Sequence, residues 1–198
     1  MKKVSVIIPC FNATKYLPKC FMSLVQQTIG IDQIELIFVD DASTDEDATW
    51  NMLQEFERAY PESIMILKLE ENMRQGGARN VALQYATGEY IAFVDADDTI
   101  EEFMLEKMYE KAETENADMV QCNLYDIYPD RTRKIQLKPL DKTVIVEDKG
   151  EYADKYFSTC YHSYEICNKL IRRSFLEENN LKFCDTKKYF SEDLMFNL

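Results

Sequence analysis

Two kinds of hydrophobic pattern alternate along the first 125 residues. Short runs of apolar and β-branched residues, each about as long as a strand, are separated by segments whose apolar positions recur at helical spacing. This alternation is typical of parallel strands that are joined by crossover helices. The runs predict strands at residues 3–9, 34–40, 63–69, 89–95 and 117–125.

Helical patterns follow the second, third and fourth of these strands. After the second strand, Ser43 and Glu46 have the spacing of a capping box at the start of a helix. Residues 76–86 predict a second helix, and Gly88 is suited to its C-terminal cap. Residues 101–115 predict a third helix. The positions expected to face the core are Trp50, Leu53, Phe56, Tyr60, Ala78, Val81, Ala82, Tyr85, Phe103, Leu105, Met108, Tyr109 and Ala112.

The pattern changes after residue 125. The sequence there is polar, rich in turn formers and alternating, which is more typical of a hairpin than of a crossover unit. We therefore divide the chain into an α/β domain at 1–125 and a second region at 126–198. Ser191 resembles the cap of a helix that has barely begun, so we interpret the sequence as truncated at its C-terminus. The second region predicts a short helix near 150–158, a strand within 164–173 and a helix over 174–179.

Composition argues against some classes of partner. The chain has 198 residues, 46% of them hydrophobic, which is enough for a substantial core. It carries 36 acidic and 23 basic residues and a formal charge of -13. We therefore do not expect sequence-independent binding to nucleic acid or binding to an anionic membrane. Because no apolar stretch has the length of a membrane span, any membrane association is expected to be peripheral or to come from sequence outside these residues.

The six cysteines carry no disulfide signature. They form no C-x-x-C pair, and we expect reduced thiols in the core. A zinc site is the alternative, but the spacing of its potential ligands matches no common pattern. Pro9 interrupts the apolar N-terminal stretch, which argues against a secretion signal. These features favour the cytoplasm, with peripheral contact at the cytoplasmic face of the membrane. The potential zinc ligands are Cys160, His162, Cys167 and Cys184.

Three carboxylates end the fourth predicted strand. In "IAFVDADDT", Asp95, Asp97 and Asp98 follow directly on an apolar run. Open parallel sheets bind ligands beyond the carboxyl ends of their strands, and neighbouring acids repel one another unless a cation, a proton or donors satisfy them. Mg²⁺ or Mn²⁺ would do so and would let an acidic protein hold an anionic ligand. The alternative is that these acids are solvated or cap a helix that begins near residue 100.

A second anion-binding candidate is the string "NMRQGGARN". The chain contains neither G-x-G-x-x-G nor G-x-x-x-x-G-K-[ST], which argues against the common Gly-rich phosphate loops. Arg74 and Arg79 flank Gly76 and Gly77 beside a predicted helix, and a helix N-terminus near guanidinium groups can bind an anion. The alternative is that the glycines only shape a turn while Arg79 pairs with a surface acid.

The motifs, in this order, resemble those of the family 2 glycosyltransferases, which are inverting enzymes. The strings are "VSVIIPCFNATKYL", "ELIFVDDASTD", "GGARNVAL", "GEYIAFVDADD", "NKLIRR" and "SEDL", and they span nearly the whole chain. The resemblance implies the GT-A fold of nucleotide-diphospho-sugar transferases, an α/β fold with a mainly parallel central sheet flanked by helices. It identifies residues 1–125 with the nucleotide-sugar-binding domain and 126–198 with a smaller acceptor-side region.

The resemblance also implies which residues bind the nucleotide. Pro9 and Phe11, at the end of the first strand and in the turn after it, match the place where the chain packs on the base. Asp41 matches the residue that hydrogen-bonds the base edge, often of uracil. Arg79 lies where a positive group supports the nucleotide, and Asp95 matches a ligand of the ribose.

The remaining matches concern the metal and the acceptor. Asp95 and Asp97 correspond to the D-x-D signature, which holds Mn or Mg together with the diphosphate. Asp98 and Glu192 correspond to positions near the sugar or the acceptor. Asp193 matches the catalytic base, although two acids after a serine are also what the start of a helix favours.

Together these matches imply a metal-dependent enzyme of the hexosyltransferase type. It would transfer a sugar from a UDP-sugar to a hydroxyl of a glycan or lipid-linked acceptor in cell-surface polysaccharide biosynthesis. Two alternatives remain open: a sugar-phosphate nucleotidyltransferase, which usually has a basic Gly-rich loop that this chain lacks, and a non-catalytic nucleotide-sugar-binding module. Ala42 replaces the commoner glycine of the family, which we expect to matter little. His162 is expected to be structural or to line the acceptor site.

Overall fold

The computed structural model describes residues 2–128, 131–135 and 165–184. Its strands are β1 (Val4–Cys10), β2 (Ile34–Asp40), β3 (Ile64–Lys68), β4 (Tyr90–Phe93), β5 (Met119–Gln121), β6 (Leu124–Tyr128), β7 (Arg131–Ile135) and β8 (Lys169–Arg172). Its helices are α1 (Leu17–Val25), α2 (Ala48–Ala59), α3 (Arg74–Leu83), α4 (Met104–Glu115) and α5 (Arg173–Glu178), with a 3₁₀ turn at Ile31–Gln33. Strand and helix therefore alternate from β1 to β5, as the hydrophobic pattern predicts.

Among the described residues, six strands form the central sheet in the order β3-β2-β1-β4-β8-β5. β1 pairs in parallel with β2 and with β4, and β2 pairs in parallel with β3. β8 runs antiparallel between β4 and β5. The chain moves outward from β1 to β3 and then places β4 on the other side of β1. A reversal of this kind opens a crevice at the carboxyl ends of the two strands, where α/β sheets bind ligands.

Helices cover both faces of the sheet, which explains why its strands read as continuous apolar runs. Val6 and Ile8 of β1 pack in the same core as buried side chains of α1, α2 and α4. Ile7, between them, belongs to the core on the opposite face, with α3 and α5. Each fully buried side chain of this size stabilises the fold by about 1.5–3 kcal/mol. The predicted α/β sheet flanked by helices is confirmed.

Most predicted elements are confirmed to within a few residues. The strand predicted at 117–125 is divided, because β5 joins the central sheet while β6 pairs with β7 in the hairpin expected after residue 125. β8 and α5 match the strand and helix predicted within 164–179. The helix predicted at 150–158 and the cap at Ser191 lie outside the described residues. The division at residue 125 stays a prediction, and the central sheet takes strands from both sides of it.

The capping box predicted for Ser43 and Glu46 is wrong. α2 begins only at Ala48. The Ser43 hydroxyl instead accepts a hydrogen bond from the backbone N–H of Asn12, at 3.0 Å. The Ser43 hydroxyl, which the local pattern assigned to the start of α2, therefore binds the loop after β1 instead.

Gly88 does not cap α3, which ends at Leu83. It lies two residues before β4 begins, where an added Cβ would come within 2.4 Å of the Ser5 backbone nitrogen. The close approach of two backbones is therefore the reason for glycine here. Two predicted core positions are also wrong, because Tyr85 is 48% exposed and Phe103 is 40% exposed. In the described ranges, no helix combines the length and the apolarity needed to cross a bilayer.

Candidate active site

The candidate site lies where four parallel strands end. Phe11 follows β1, Asp41 follows β2, and Asp95 comes shortly after β4. Because β1 is paired with both β2 and β4, these residues lie along one edge of the sheet, on either side of the crevice between β1 and β4. We call the loops at this edge, residues 11–16, 41–47, 69–73 and 94–103, the C-terminal edge.

A pocket with a volume of about 830 Å³ opens on the C-terminal edge. Phe11 is 48% exposed, so its ring can contact a planar ligand in the pocket. Pro9 is buried within β1 and does not line this pocket. The walls are formed by Phe11, Ala42, Ser43, Thr44, Lys68, Leu69, Glu70, Glu71 and Asn72. An aromatic wall with hydrogen-bonding groups around it is suited to a nucleobase.

Hydrogen bonds join the loops after β1 and β2. The Asn12 side chain donates to Thr44 Oγ1 at 3.2 Å and accepts from the Thr44 backbone N–H at 2.8 Å. Asn12 and Ala42 have left-handed backbones, with φ of 50° and 56°. Such a conformation costs a residue with a Cβ roughly 1–2 kcal/mol, whereas glycine adopts it readily. A glycine at position 42 would avoid this cost.

Asp40 and Asp41 are almost fully buried at the end of β2, with exposed fractions of 1% and 3%. Asp41 Oδ1 accepts the Met73 backbone N–H at 2.7 Å, and Asn72 Nδ2 donates to the Asp41 carbonyl at 3.0 Å. Asp41 therefore joins the loops after β2 and β3. Asp40 Oδ1 accepts the Ser43 N–H at 3.0 Å, while its buried Oδ2 has no hydrogen-bond partner in the described part of the chain. A donor reaching Oδ2 would stabilise this carboxylate.

A partly buried ion pair connects α3 with the loop after β4. Arg79 Nη2 lies 2.6 Å from Asp95 Oδ1, and their side chains are 2% and 35% exposed. The Phe183 ring lies over the guanidinium, with its centroid 5.1 Å from Cζ, and packs edge-on against Phe93. Asn80 holds the Phe183 backbone through two hydrogen bonds of 2.9 Å. Arg79 therefore pairs with an acid of the predicted site.

Asp95, Asp97 and Asp98 share one tight turn, closed by a hydrogen bond of 3.0 Å from Asp98 N–H to the Asp95 carbonyl. Partial loss of hydration, and then the charges of Asp95 and Asp97, raise the pKa of Asp98 to about 6. Three carboxylates within four residues concentrate negative charge at this turn. A divalent cation or a ligand donor would relieve that charge.

The acids at this turn fit a divalent cation only if a bound ligand and water supply the rest of its coordination. In the part of the chain that the structure describes, no group of three or more His, Cys, Asp or Glu side chains is arranged to hold a metal ion. Mg²⁺ commonly takes one or two carboxylates and completes its coordination with substrate phosphates and water. The carboxylates of Asp95 and Asp97 have the hard oxygen chemistry that such a site requires.

Several predicted residues lie outside the described ranges, and their roles stay predictions: Glu192, Asp193, Cys160 and His162. Cys167 and Cys184, the other potential zinc ligands, are half-buried in the described part of the chain. The contributions of Asn12, Asn72 and Phe183 to the site were not predicted from the sequence. Asn12 and Asn72 lie in the loops after β1 and β3, so the rule that ligands bind at carboxyl ends could have drawn attention to them. Phe183 contacts α3 across 103 positions of sequence, which no local pattern reveals.

Comparison with known proteins adds independent findings. The family model described as Glycosyl transferase family 2 matches residues 5–179. The chain is 27% identical over 199 residues to the poly(ribitol-phosphate) β-N-acetylglucosaminyltransferase TarP of Staphylococcus aureus, and the match covers 100% of this chain and 57% of TarP.

Two solved structures have a similar fold. The crystal structure of S. aureus TarS residues 1–349 with UDP matches with a TM-score of 0.78 and 25% identity, over 98% of this chain and 54% of that one. The mannosyltransferase PcManGT of Pyrobaculum calidifontis, solved with GDP-Man and Mn²⁺, has a TM-score of 0.69 at 19% identity, over 99% and 51%, which shows the fold alone. The GT-A fold prediction is confirmed. The chain spans about half the length of these relatives.

Proposed function

Because this chain belongs to glycosyl transferase family 2, whose model it matches over residues 5–179, we propose that it transfers a sugar from a UDP-sugar to an acceptor hydroxyl. The transfer inverts the anomeric carbon, and the acceptor is a glycan or lipid-linked glycan of a cell-surface polysaccharide. One observation carries the proposal: an aromatic-walled pocket and an acidic turn paired with a buried arginine lie along one sheet edge, at the switch in strand order.

The pocket and the relatives support a UDP-sugar donor. Phe11 offers an exposed ring for stacking on the base. Asp41 is the proposed contact to the base edge, and its hydrogen bond to Met73 fixes the carboxylate's orientation. TarS has been crystallised with UDP and with UDP-GlcNAc. TarP is named for transfer to poly(ribitol-phosphate), which supports a hydroxyl-rich cell-wall polymer as acceptor.

The acidic turn supports a requirement for Mn or Mg. We propose that Asp95 and Asp97 hold the ion together with the donor diphosphate, and that Arg79 keeps Asp95 in place. The bound ion would act as a Lewis acid that stabilises negative charge on the leaving diphosphate. A protein with a formal charge of -13 otherwise repels such a ligand. PcManGT, which shares the fold, was solved with Mn²⁺.

The chemistry is a single displacement. The acceptor oxygen attacks the anomeric carbon from the face opposite the UDP, and a carbon–oxygen bond forms as the bond from that carbon to the β-phosphate oxygen breaks. UDP leaves with the bonding electrons, and the hydroxyl proton passes to a carboxylate base. By resemblance we assign the base to Asp193 and place Glu192 and Asp98 beside the sugar or the acceptor.

The test measures UDP release from UDP-GlcNAc by the full 198-residue chain, with and without a poly(ribitol-phosphate) acceptor. Wild type, Asp97→Asn and Asp193→Asn are compared in Mn²⁺, Mg²⁺ and EDTA. Glu110→Gln, which removes an exposed charge on α4, is the matched control. We expect turnover only with a divalent ion, a loss of about 100-fold or more in both aspartate variants, and no change in the control.

Intact turnover in both aspartate variants would make the site assignment wrong. Release of pyrophosphate from UTP and a sugar 1-phosphate would instead favour a nucleotidyltransferase. A rise in Tm with UDP, without transfer or hydrolysis, would favour a non-catalytic binding module.

A further inference from the structure

A row of polar side chains on α1 and just after it contacts the loop that carries the acidic turn. Cys20, Ser23 and Gln27 are spaced three and four residues apart, which places them along one side of the helix. Gln27 lies two residues beyond the end of α1, but its side-chain nitrogen donates back to the Ser23 carbonyl at 3.0 Å. We call these three residues the α1 row.

The first two members hold the beginning of the loop. The Cys20 thiol, which is fully buried, donates to the Asp95 carbonyl with a sulfur–oxygen distance of 3.7 Å. The Ser23 hydroxyl accepts the Ile100 backbone N–H at 3.2 Å and donates to the Cys20 carbonyl at 2.7 Å. The turn at 95–98 is therefore held at its first acid and again two residues after its last acid.

Gln27 holds the end of the loop. It is 4% exposed, and its side-chain nitrogen also donates to the Glu101 carbonyl at 2.8 Å. Its Oε1 accepts the Leu105 backbone N–H at 3.0 Å. The N-cap residue of α4, Phe103, provides no side-chain hydrogen bond, so Gln27 performs the capping role from another helix. The next residue, Thr28, donates its N–H to the Glu102 carbonyl at 2.8 Å.

The acidic turn needs such an anchor. Three like charges in one turn repel one another, and without external support the repulsion would open the turn or move its carboxylates apart. Ligands of a metal–diphosphate complex must be held within a fraction of an ångström, usually by hydrogen bonds from groups that do not themselves touch the ligand. The α1 row makes four hydrogen bonds to this loop, from Asp95 to Leu105.

We propose that Gln27 is a positioning residue, which together with Ser23 and Cys20 fixes the turn at 95–98 for binding the metal–diphosphate part of the donor. The inference rests on the proposed function, because it assumes that this turn meets a nucleoside diphosphate. Gln27 touches no reacting atom in this account. Its loss should weaken diphosphate recognition and leave recognition of the nucleoside unchanged.

The experiment compares Gln27→Met, which keeps the side-chain length but removes its hydrogen bonds, with wild type. Isothermal titration gives the Kd for UDP in Mn²⁺ and the Kd for uridine. Hydrogen exchange reports the Ile100 and Leu105 amides. Ser5→Ala is the matched control, because Ser5 is equally buried and its hydroxyl makes two hydrogen bonds at the opposite edge of the sheet. If Gln27→Met does not fold, Ser23→Ala replaces it in the experiment. That substitution removes the hydrogen-bond acceptor of the Ile100 amide.

We expect Gln27→Met to weaken UDP binding about tenfold and to speed exchange at both amides, with uridine binding unchanged. Ser5→Ala should change UDP affinity by less than about twofold. The inference is overturned if Gln27→Met, or Ser23→Ala in its place, retains wild-type UDP affinity while losing stability as Ser5→Ala does. Equal weakening of UDP and uridine binding would also overturn it. If wild type itself binds no UDP, the failure belongs to the proposed function.

Discussion

The two edges of the central sheet differ in how their polar groups are satisfied. Where the strands begin, Ser5 Oγ donates to Glu35 Oε2 at 2.6 Å and accepts the Gly88 N–H at 2.8 Å. Thr87 donates to the same carboxylate twice, at 2.9 and 3.0 Å. We call these four residues the N-terminal edge network. Both oxygens of its single carboxylate have donors, so the charge is satisfied within the protein.

The C-terminal edge is not satisfied in this way. The buried Asp40 Oδ2 has no partner among the residues that the structure describes, and three acids crowd the turn at 95–98. Asn12, Ala42 and Asp47 have left-handed backbones, with φ of 50°, 56° and 62°. Strain and unrelieved charge of this kind concentrate where a ligand binds. Substitutions at the two edges should therefore separate the stability of the fold from its ability to bind a donor.

The largest effect on stability is expected at the N-terminal edge, for Gly88→Ala. The new Cβ would meet the backbone of Ser5 at 2.4 Å and that of Val4 at 2.7 Å, neither of which is a flexible side chain. We expect the free energy of unfolding to fall by about 2–3 kcal/mol, measured by urea denaturation. UDP affinity of the folded fraction should stay within about twofold of wild type. An unchanged urea midpoint would show that the two backbones can separate at little cost.

Arg79→Met should lower both the stability of the fold and the affinity for UDP. It leaves Asp95 without the buried cation that lies 2.6 Å away, beside two further acids. Because the Asp95 side chain is 35% exposed, solvent screening limits the loss of stability to about 1–2 kcal/mol. The Kd for UDP in Mn²⁺ should rise about tenfold, measured by isothermal titration. Arg79→Lys keeps the charge but not the planar donor group, and should lie between wild type and Arg79→Met.

Asp98 should give the C-terminal edge a dependence on pH. Loss of hydration and the charges of Asp95 and Asp97 raise its pKa from 3.8 to about 6. A carboxyl whose pKa is raised in the folded state stabilises the fold while protonated, so this contribution is present below about pH 4 and is lost as pH rises through about 6. In EDTA, Asp98→Asn should therefore gain stability relative to wild type between pH 4 and 7, measured by urea denaturation. If the difference in unfolding free energy between Asp98→Asn and wild type does not vary with pH, the pKa of Asp98 is not raised in the folded state.

The smallest effect is expected for Ala42→Gly. Ala42 has a φ of 56°, which glycine adopts without a steric penalty. Part of the gain is offset because glycine has more conformational freedom in the unfolded chain, so we expect stabilisation of about 0.5–1 kcal/mol. Thermal denaturation would detect this as a small rise in Tm. A lower Tm would indicate that the alanine methyl group contributes packing that outweighs the strain.

The sequence predicted best those elements whose pattern depends on burial. β2 matches its prediction over 34–40, because a strand buried on both faces appears as an unbroken apolar run between polar segments. The convergence of the acids at the end of β4 followed from the same rule about strand ends. The capping box failed because the Ser43 hydroxyl pairs with the loop after β1, and Gly88 was misread because its constraint comes from β1.

Contacts between distant segments could not be predicted from a single sequence. Asn80 holds Phe183 across 103 positions, and Gln27 caps a helix that begins 77 positions later, at Met104. Each contact depends on the strand order, which brings α1 beside the loop after β4 and the residues after α5 beside α3. Local sequence patterns indicate secondary-structure propensity and burial, but they do not show which side chains from distant segments contact one another.

The most direct test of the central claim is the titration of wild type with UDP in Mn²⁺ and in EDTA, with Asp97→Asn titrated in Mn²⁺. If the acidic turn holds the diphosphate through a divalent ion, UDP should bind one per chain in Mn²⁺, and both EDTA and the substitution should weaken binding by about tenfold or more. Equal UDP affinity under all three conditions would contradict this account.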